Sequence, residues 1–218
     1  VTRSQAIGQH LDWVVFGGGN TSSKGEITDH LGRMREVLWV KGSGADMKNA
    51  VAADYPALYL SELLALIDFD SMDDDKMVDF VTRALVDPTS RRPSIETLLH
   101  AFLPAKHIDH VHADAICALT NHKDGESAVR EALGSGVAYV DWKRPGFELS
   151  KLVSTLKGSE AVVLAHHGLI VWDEDTHKCF EKNSLYIDRA NAYLDSLSTK
   201  PVARFEHSEL SNAQVEEL

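Results

Sequence analysis

The stretch from Arg92 to His112 most constrains this chain, because a helix must stop and a strand must start inside it. It opens Pro93-Ser94-Ile95-Glu96, runs through Leu98, Leu99, His100, Phe102 and Leu103, and closes His110-Val111-His112. Proline suits the first turn of a helix, where its missing N–H costs nothing. Ser94 is a capping residue, which places Glu96 in the first turn, and Pro104 ends the helix. From His107 to Ala113 the pattern changes to alternation around Val111, the period of a strand. Side chains two apart on a strand share a face. His110 and His112 can therefore point at one spot, and two imidazoles so placed can both reach a metal ion at ~2.0–2.1 Å. Two nearby histidines are more often surface residues or satisfied polar groups, so a third ligand is needed.

The histidines in His166-His167-Gly168 offer one. They lie between two continuous apolar runs, Ala161 to Ala165 and Leu169 to Trp172, which read as buried strands. A histidine at the mouth of a buried strand is placed to meet a site on a neighbouring strand. His110, His112 and His167 would supply three nitrogens and Glu96 an oxygen, a donor set that suits zinc, cobalt, iron or manganese. His100 lies four residues after Glu96, on the same helix face. It competes as a ligand, but a supporting or packing role is preferred. Asp109 and Asp114 flank the pair and could orient imidazoles, though ordinary strand-end polarity is the simpler reading.

Composition narrows the rest. The 218 residues suffice for one sizeable core, and 44% hydrophobic with 25% charged residues is ordinary for a globular domain. A net charge of -11 disfavours nucleic acid and anionic membrane surfaces. No apolar run approaches the ~18 residues of a membrane span. Cys117 and Cys179 both read as buried thiols, with no disulfide framework, which points to a reducing, cytoplasmic setting.

Two glycine-rich turns follow apolar runs. Trp13 to Phe16 leads into Gly17-Gly18-Gly19-Asn20-Thr21-Ser22-Ser23-Lys24, and a strand over 36–41 leads into Lys41-Gly42-Ser43-Gly44. Either can be a plain turn. Together they make an anion cradle plausible, with backbone N–H groups and short polar side chains facing a phosphate. A dinucleotide fingerprint does not fit, because the last glycine and the following amphipathic helix are missing. Residues 1–10 are polar and carry no clear element. The spacing predicts helices over 54–68, from the acidic run 70–75 to about Val86, over 127–133 and 149–156, and over 173–197. A strand is expected over 137–141 and a short apolar segment over 113–119. Residues 1–200 are expected to form one domain and 201–218 a tail or linker stub.

In combination, GGGNTS at 17–22, KGSG at 41–44, PSIETLLH at 93–100, HVH at 110–112 and HHGLIVW at 166–172 resemble the class II aldolase/adducin family. The resemblance runs from Gly17 to about Leu194. Within the family it is nearest to the aldolase part of bifunctional rhamnulose-1-phosphate aldolase/alcohol dehydrogenases, in which a short-chain dehydrogenase domain follows. The resemblance implies an α/β/α three-layer fold around a mostly antiparallel sheet, usually a homotetramer. It implies one divalent ion, typically zinc, on His110, His112 and His167. Glu96 would bind the resting metal and serve as the base. Substrate phosphate would be held by Asn20, Thr21, Ser43, Gly44 and Ser94, to which Lys41 is added for its charge and location. The implied reaction cleaves a ketose 1-phosphate to dihydroxyacetone phosphate and a small aldehyde through a metal-stabilised enediolate. The family's alternatives are a sugar-phosphate 4-epimerase, a decarboxylase and a non-catalytic adducin-like interaction domain. Its tyrosine proton donor has no good match, Tyr139 being poorly spaced, and the chain before Gly17 is short for the family's opening helix.

Overall fold

The computed structural model describes residues 1–197; the expected tail at 201–218 lies outside them. Seven strands form one sheet: β1 (Asn20–Thr28), β2 (Met34–Val40), β3 (Ala57–Tyr59), β4 (His107–Val111), β5 (Val137–Val140), β6 (Ala161–Leu164) and β7 (Gly168–Asp173). Their spatial order is β3-β2-β1-β4-β7-β6-β5. Every neighbouring pair is antiparallel except β5 with β6. The sheet is thus mostly antiparallel, as the family resemblance implied.

Helices cover both faces. On one side lie α1 (Thr2–Gly8), α5 (Asp114–Thr120), α6 (Gly125–Leu133) and α8 (Thr176–Leu197). Their apolar side chains meet Val111, Val163, Leu169 and Val171. On the other lie α2 (Leu60–Leu64), α3 (Asp74–Arg83), α4 (Thr97–Phe102) and α7 (Phe147–Thr155). They cover Leu38, Val40, Ile108, Val162, Leu164 and Ile170. Alternate residues of β4 and β7 enter opposite cores, which is the period-two rule for a sheet buried on both faces. No helix among the described residues is long and apolar enough to cross a membrane.

Several elements differ from the sequence reading. Residues 1–10 contain α1, whose buried face is short (Ser4, Ile7 and Gly8). The helix expected over 54–68 is divided: strand β3 comes first, then α2, then a 3-10 turn over Ala65–Asp68. The edge pairing of β3 to β2 overrides the helical spacing. The short apolar segment over 113–119 falls in α5 (Asp114–Thr120), with Ala113 as its N-cap. Strand β1 is the largest miss. Its sequence, Asn-Thr-Ser-Ser-Lys-Gly-Glu-Ile-Thr, lacks the apolar content of a central strand, yet it pairs with β2 and β4 on its two sides. The acidic run behaves as expected, with Asp73 capping α3 by accepting the N–H groups of Asp75 and Lys76.

One buried ion pair ties the α1 side to the sheet. Arg3 Nε donates to Asp109 Oδ1 at 2.8 Å, and the Asp109 side chain is fully buried. Arg3 also donates to Thr176 Oγ1 at 2.8 Å and to the Ser22 carbonyl at 2.7 Å. Asn183 Nδ2 donates to Asp109 Oδ2 at 3.0 Å, and the Cys179 thiol sits 3.3 Å from it. Asp109 is therefore a structural charge on the face opposite His110, not an imidazole-orienting group. Burial raises its pKa, against the lowering by Arg3 and its hydrogen bonds.

Arg3→Leu should leave that carboxylate unpaired and lower unfolding free energy by about 3–5 kcal/mol at neutral pH. A carboxyl whose folded pKa lies above its unfolded value loses stability as pH rises through that window. The deficit of the variant, read from urea melts, should therefore shrink as pH falls from 7 toward 5; a deficit that is small, or grows on acidification, would contradict this account.

Candidate metal centre

Four side chains converge at one end of β4. His110 is in β4, and His112 lies just beyond its end. His167 closes the turn between β6 and β7, and Glu96 is the N-cap residue of α4. The helix cap thus falls two residues later than the expected Ser94 cap, for a local reason. Pro93 is bridged to Gly42 in sheet fashion. Ser94 forms a turn, its hydroxyl accepting the Glu96 N–H at 3.2 Å and its carbonyl the Thr97 N–H at 3.1 Å. Glu96 stands on that turn and its side chain is free to reach the imidazoles.

The three ring nitrogens face one another. His110 Nε2 lies 3.0 Å from His112 Nε2 and 3.2 Å from His167 Nε2. Glu96 Oε1 is 3.5 Å from His110 Nε2 and 3.6 Å from His167 Nε2. That oxygen is buried and has no hydrogen-bond partner. Donors about 2.0–2.1 Å from a tetrahedral ion stand roughly 3.3 Å apart, so the set fits a metal. His110 Nδ1 is 3.1 Å from the Leu169 carbonyl. A carbonyl only accepts, so Nδ1 carries the hydrogen and Nε2 presents its lone pair, the usual arrangement of a ligating histidine. Burial first, then the neighbouring His167, pushes the His110 pKa down to about 3. His112 falls to about 3 mainly by burial, with His110 and His167 adding to the shift. Both are neutral and ready to coordinate over the physiological range.

Glycine makes this approach possible at two points. A Cβ on Gly168 would sit 2.2 Å from the Val111 carbonyl oxygen and 3.2 Å from His110 Cε1. A Cβ on Gly19, whose φ is +60°, would sit 2.7 Å from the His110 carbonyl oxygen. The first glycine-rich segment therefore packs the start of β1 against β4.

The residues named for phosphate divide into two sets. Asn20 is buried, opposite His110 in the β1–β4 register, and its Nδ2 donates to Glu96 Oε2 at 2.7 Å and lies 3.3 Å from Ser94 Oγ. Ser43 and Ser94 line a small cavity of about 140 Å³ with Arg92 and Pro93, and the Ser43 N–H is held by the Arg92 carbonyl at 2.9 Å. Gly44 follows with φ +71°. The structure does not bring Thr21 and Lys41 to this spot. Strand alternation turns Thr21 to the opposite face, where its hydroxyl meets Ser4 Oγ at 2.5 Å and Tyr55 at 3.4 Å. The Lys41 amine is buried and donates to the Ala45 carbonyl at 2.6 Å and the Gly17 carbonyl at 3.3 Å, stapling the two glycine-rich loops together. Burial lowers its pKa.

His100 is not among the converging nitrogens; it lies behind Asn20, paired with Asn20 and Ser22. Asp114 is the exposed first residue of α5. Cys117 is half-buried rather than buried, its sulfur 3.6 Å from the His167 carbonyl. A larger cavity of about 540 Å³ lies near α1, lined by Arg3, Ser23, Tyr55 and His107, and none of Glu96, His110, His112 or His167 borders it.

Three histidines, joined by a carboxylate, form at the end of a mixed sheet a cluster that could hold a metal ion. The family follows from comparison: the model of the Class II Aldolase and Adducin N-terminal domain matches residues 3–194, and the chain belongs to that family. A Bacillus subtilis (strain 168) protein described as the uncharacterized oxidoreductase YuxG is 40% identical over 199 residues, covering 89% of this chain and 29% of its own length. The chain thus spans less than a third of that relative. The N-terminal class II aldolase domain of a conserved protein from Thermoplasma acidophilum is 35% identical, with a TM-score of 0.84 over 88% of this chain and 91% of that one. A sugar-phosphate aldolase from Thermotoga maritima shares the fold alone, at 14% identity and a TM-score of 0.64 over 92% of this chain and 97% of that one.

Gly168→Ala should cost about 1–3 kcal/mol through the forced shift of the β6–β7 turn from Val111. Because His167 moves with that turn, the variant should also bind a divalent ion more weakly. Calorimetric zinc titration alongside urea unfolding checks both, and unchanged metal affinity would separate the turn from the site.

Proposed function

We propose that this chain is a metal-dependent class II aldolase domain. Its substrate would be a ketose 1-phosphate resembling rhamnulose 1-phosphate, split into dihydroxyacetone phosphate and a small aldehyde. The observation that carries this reading is the orphaned Glu96 Oε1 beside His110 Nε2 and His167 Nε2, with His112 Nε2 turned to His110 Nε2. An unpartnered buried carboxylate oxygen is costly unless something charged meets it. His110, His112, His167 and Glu96 would hold one divalent ion, which we propose to be zinc, the ion the family resemblance implies and one this donor set suits. When bound, it supplies Lewis acidity to the keto and hydroxyl oxygens of the substrate.

The chain's own residues divide the remaining work. Ser43, Gly44 and Ser94, with Asn20 at their edge, offer donors to the substrate phosphate beside the Glu96 turn. Lys41 and Thr21 enter this proposal only indirectly, Lys41 as the post that holds both glycine-rich loops and Thr21 as an anchor of β1. Glu96 keeps one oxygen on Asn20 and leaves the other for the substrate. In the synthetic direction it takes a proton from the hydroxymethyl carbon of dihydroxyacetone phosphate, and in cleavage it returns that proton.

We further propose a homotetramer in the cytoplasm, with a short-chain dehydrogenase domain following in the full-length protein. The free thiols support the compartment. The length and description of the Bacillus relative support the second domain. A non-catalytic adducin-like role would not need Glu96 and the three histidines to converge. A 4-epimerase on the same scaffold would release no free triose phosphate, so one assay separates it.

Purified chain should carry about one divalent ion, lost in His110→Ala and His167→Ala, and should release triose phosphate from rhamnulose 1-phosphate. Glu96→Gln should retain phosphate-ligand binding while kcat falls roughly 10²–10⁴-fold. Full turnover in Glu96→Gln would remove the base assignment. Metal binding without triose phosphate release would move the reading to the epimerase or another sugar.

A further inference from the structure

We propose that His100 is a positioning residue: through the side chain of Asn20 it sets which oxygen of Glu96 faces the three imidazoles. This rests on Glu96 being the working carboxylate of the site. His100 is fully buried on α4, one helical turn after Glu96. Its Nδ1 is 2.7 Å from Ser22 Oγ, and its Nε2 pairs closely with Asn20 Oδ1. Asn20 Nδ2 in turn donates to Glu96 Oε2 at 2.7 Å. All four side chains are buried, Ser22 at 2%, Asn20 at 4% and Glu96 at 5% exposure, so water cannot substitute for a lost partner.

One arrangement of hydrogens satisfies the whole chain. A carboxylate only accepts, so Asn20 must turn its NH₂ toward Glu96 and its carbonyl oxygen toward His100. That oxygen only accepts, so His100 must carry its hydrogen on Nε2. Nδ1 is then bare and accepts the Ser22 hydroxyl hydrogen. With the other tautomer, the bare Nε2 would oppose the Asn20 oxygen. Flipping the amide to relieve that would set its oxygen against the Glu96 carboxylate. Burial pushes the His100 pKa down to about 3, so the neutral ring persists and the pattern does not switch near neutral pH. Oε2 is thereby occupied by Asn20, and Oε1 is left as the unpartnered oxygen 3.5 Å from His110 Nε2.

The Ser22 end explains why a polar strand lies in the middle of the sheet. Ser22 and Asn20 occupy alternate positions of β1 and share the face under α4. Ser22 pairs with Ile108 in the same register that pairs Asn20 with His110. The tautomer of His100 is thus set from β1, two strand positions away from the Glu96 contact.

The test uses the 218-residue chain with substitutions His100→Gln, His100→Asn and His100→Leu. A glutamine amide nitrogen can replace the imidazole Nε2 toward Asn20. An asparagine is too short to reach it, and leucine offers nothing. In nitrogen-15 NMR spectra, wild-type His100 should show a hydrogen on Nε2, a bare Nδ1 and no titration between pH 6 and pH 8, values chosen to bracket roughly the ordinary histidine pKa. The Asn20 side-chain amide should shift in Glu96→Gln, shift likewise in His100→Asn and His100→Leu, and stay near its wild-type position in His100→Gln. Turnover should follow, with kcat falling roughly 10²-fold in the asparagine and leucine variants, KM within about threefold, and substantial recovery in His100→Gln. If the leucine variant does not fold, the glutamine and asparagine pair decides. An Asn20 amide unmoved in the asparagine variant, or an Nδ1-protonated His100, overturns the proposal, as does equal loss of kcat in the glutamine and asparagine variants. Should Glu96→Gln keep full turnover, the base reading fails, and the amide shift still decides whether His100 sets Glu96.

Discussion

The register that places Asn20 opposite His110 is the constraint on which the site depends. It aligns the start of β1 with the end of β4, so the first residue of one strand holds Glu96 while its partner faces the other histidines. A slip of one residue would send every side chain of β1 to the other face. Asn20 would leave Glu96, and Thr21 would take its place with a hydroxyl too short to bridge to His100. The packing of Gly19 under the His110 carbonyl enforces this alignment, since a side chain there would collide with the neighbouring backbone.

The two faces of β4 show how a polar strand survives in a buried sheet. His110 serves one face, and Asp109 the other, paired with Arg3. Neither is an isolated buried polar group, which would cost several kcal/mol. Each is held by a network drawn from distant sequence: Arg3, Cys179 and Asn183 around Asp109, and Leu169, Glu96 and the two other histidines around His110. Such networks also specify the fold, because competing registers would strand their members without partners.

Legibility in the sequence followed the same division. Elements whose signal is local were readable: the apolar strands flanking His166-His167-Gly168, the α8 periodicity and a helix starting from the acidic run 70–75. The convergence of the three histidines was readable because an alternating strand pair and a hairpin mouth are short-range patterns, and Glu96 was read into the first turn of a helix, one step inside its observed cap position. Strand β1 was not readable, since its residues are polar for reasons that lie elsewhere in the chain: Asn20 answers Glu96 and His100, Thr21 answers Ser4, and Ser22 answers His100. Thr21 was grouped with Asn20 as a phosphate donor because adjacency in a motif hides alternation in a strand. Lys41 was grouped with the loop donors because its charge was visible and the carbonyls of Gly17 and Ala45 were not.

The turn that delivers His167 adds a last physical step. Consecutive histidines must serve opposite sides, and the backbone achieves this by placing His166 at φ 57°, the left-handed region that non-glycine residues seldom occupy. Residues held there cost of order 1–3 kcal/mol and persist only where the surroundings over-determine them. The surroundings here are specific: the His166 N–H donates to Thr120 Oγ1 at 3.1 Å, and its ring pairs with Asn121 Oδ1 at 2.6 Å. Both partners sit at the end of α5, the helix that follows His112. The segment after His110 and His112 therefore anchors the turn that carries His167. With Gly168 pressed against the Val111 carbonyl, the turn has little room to relax, so the third imidazole is held toward the other two by the fold itself.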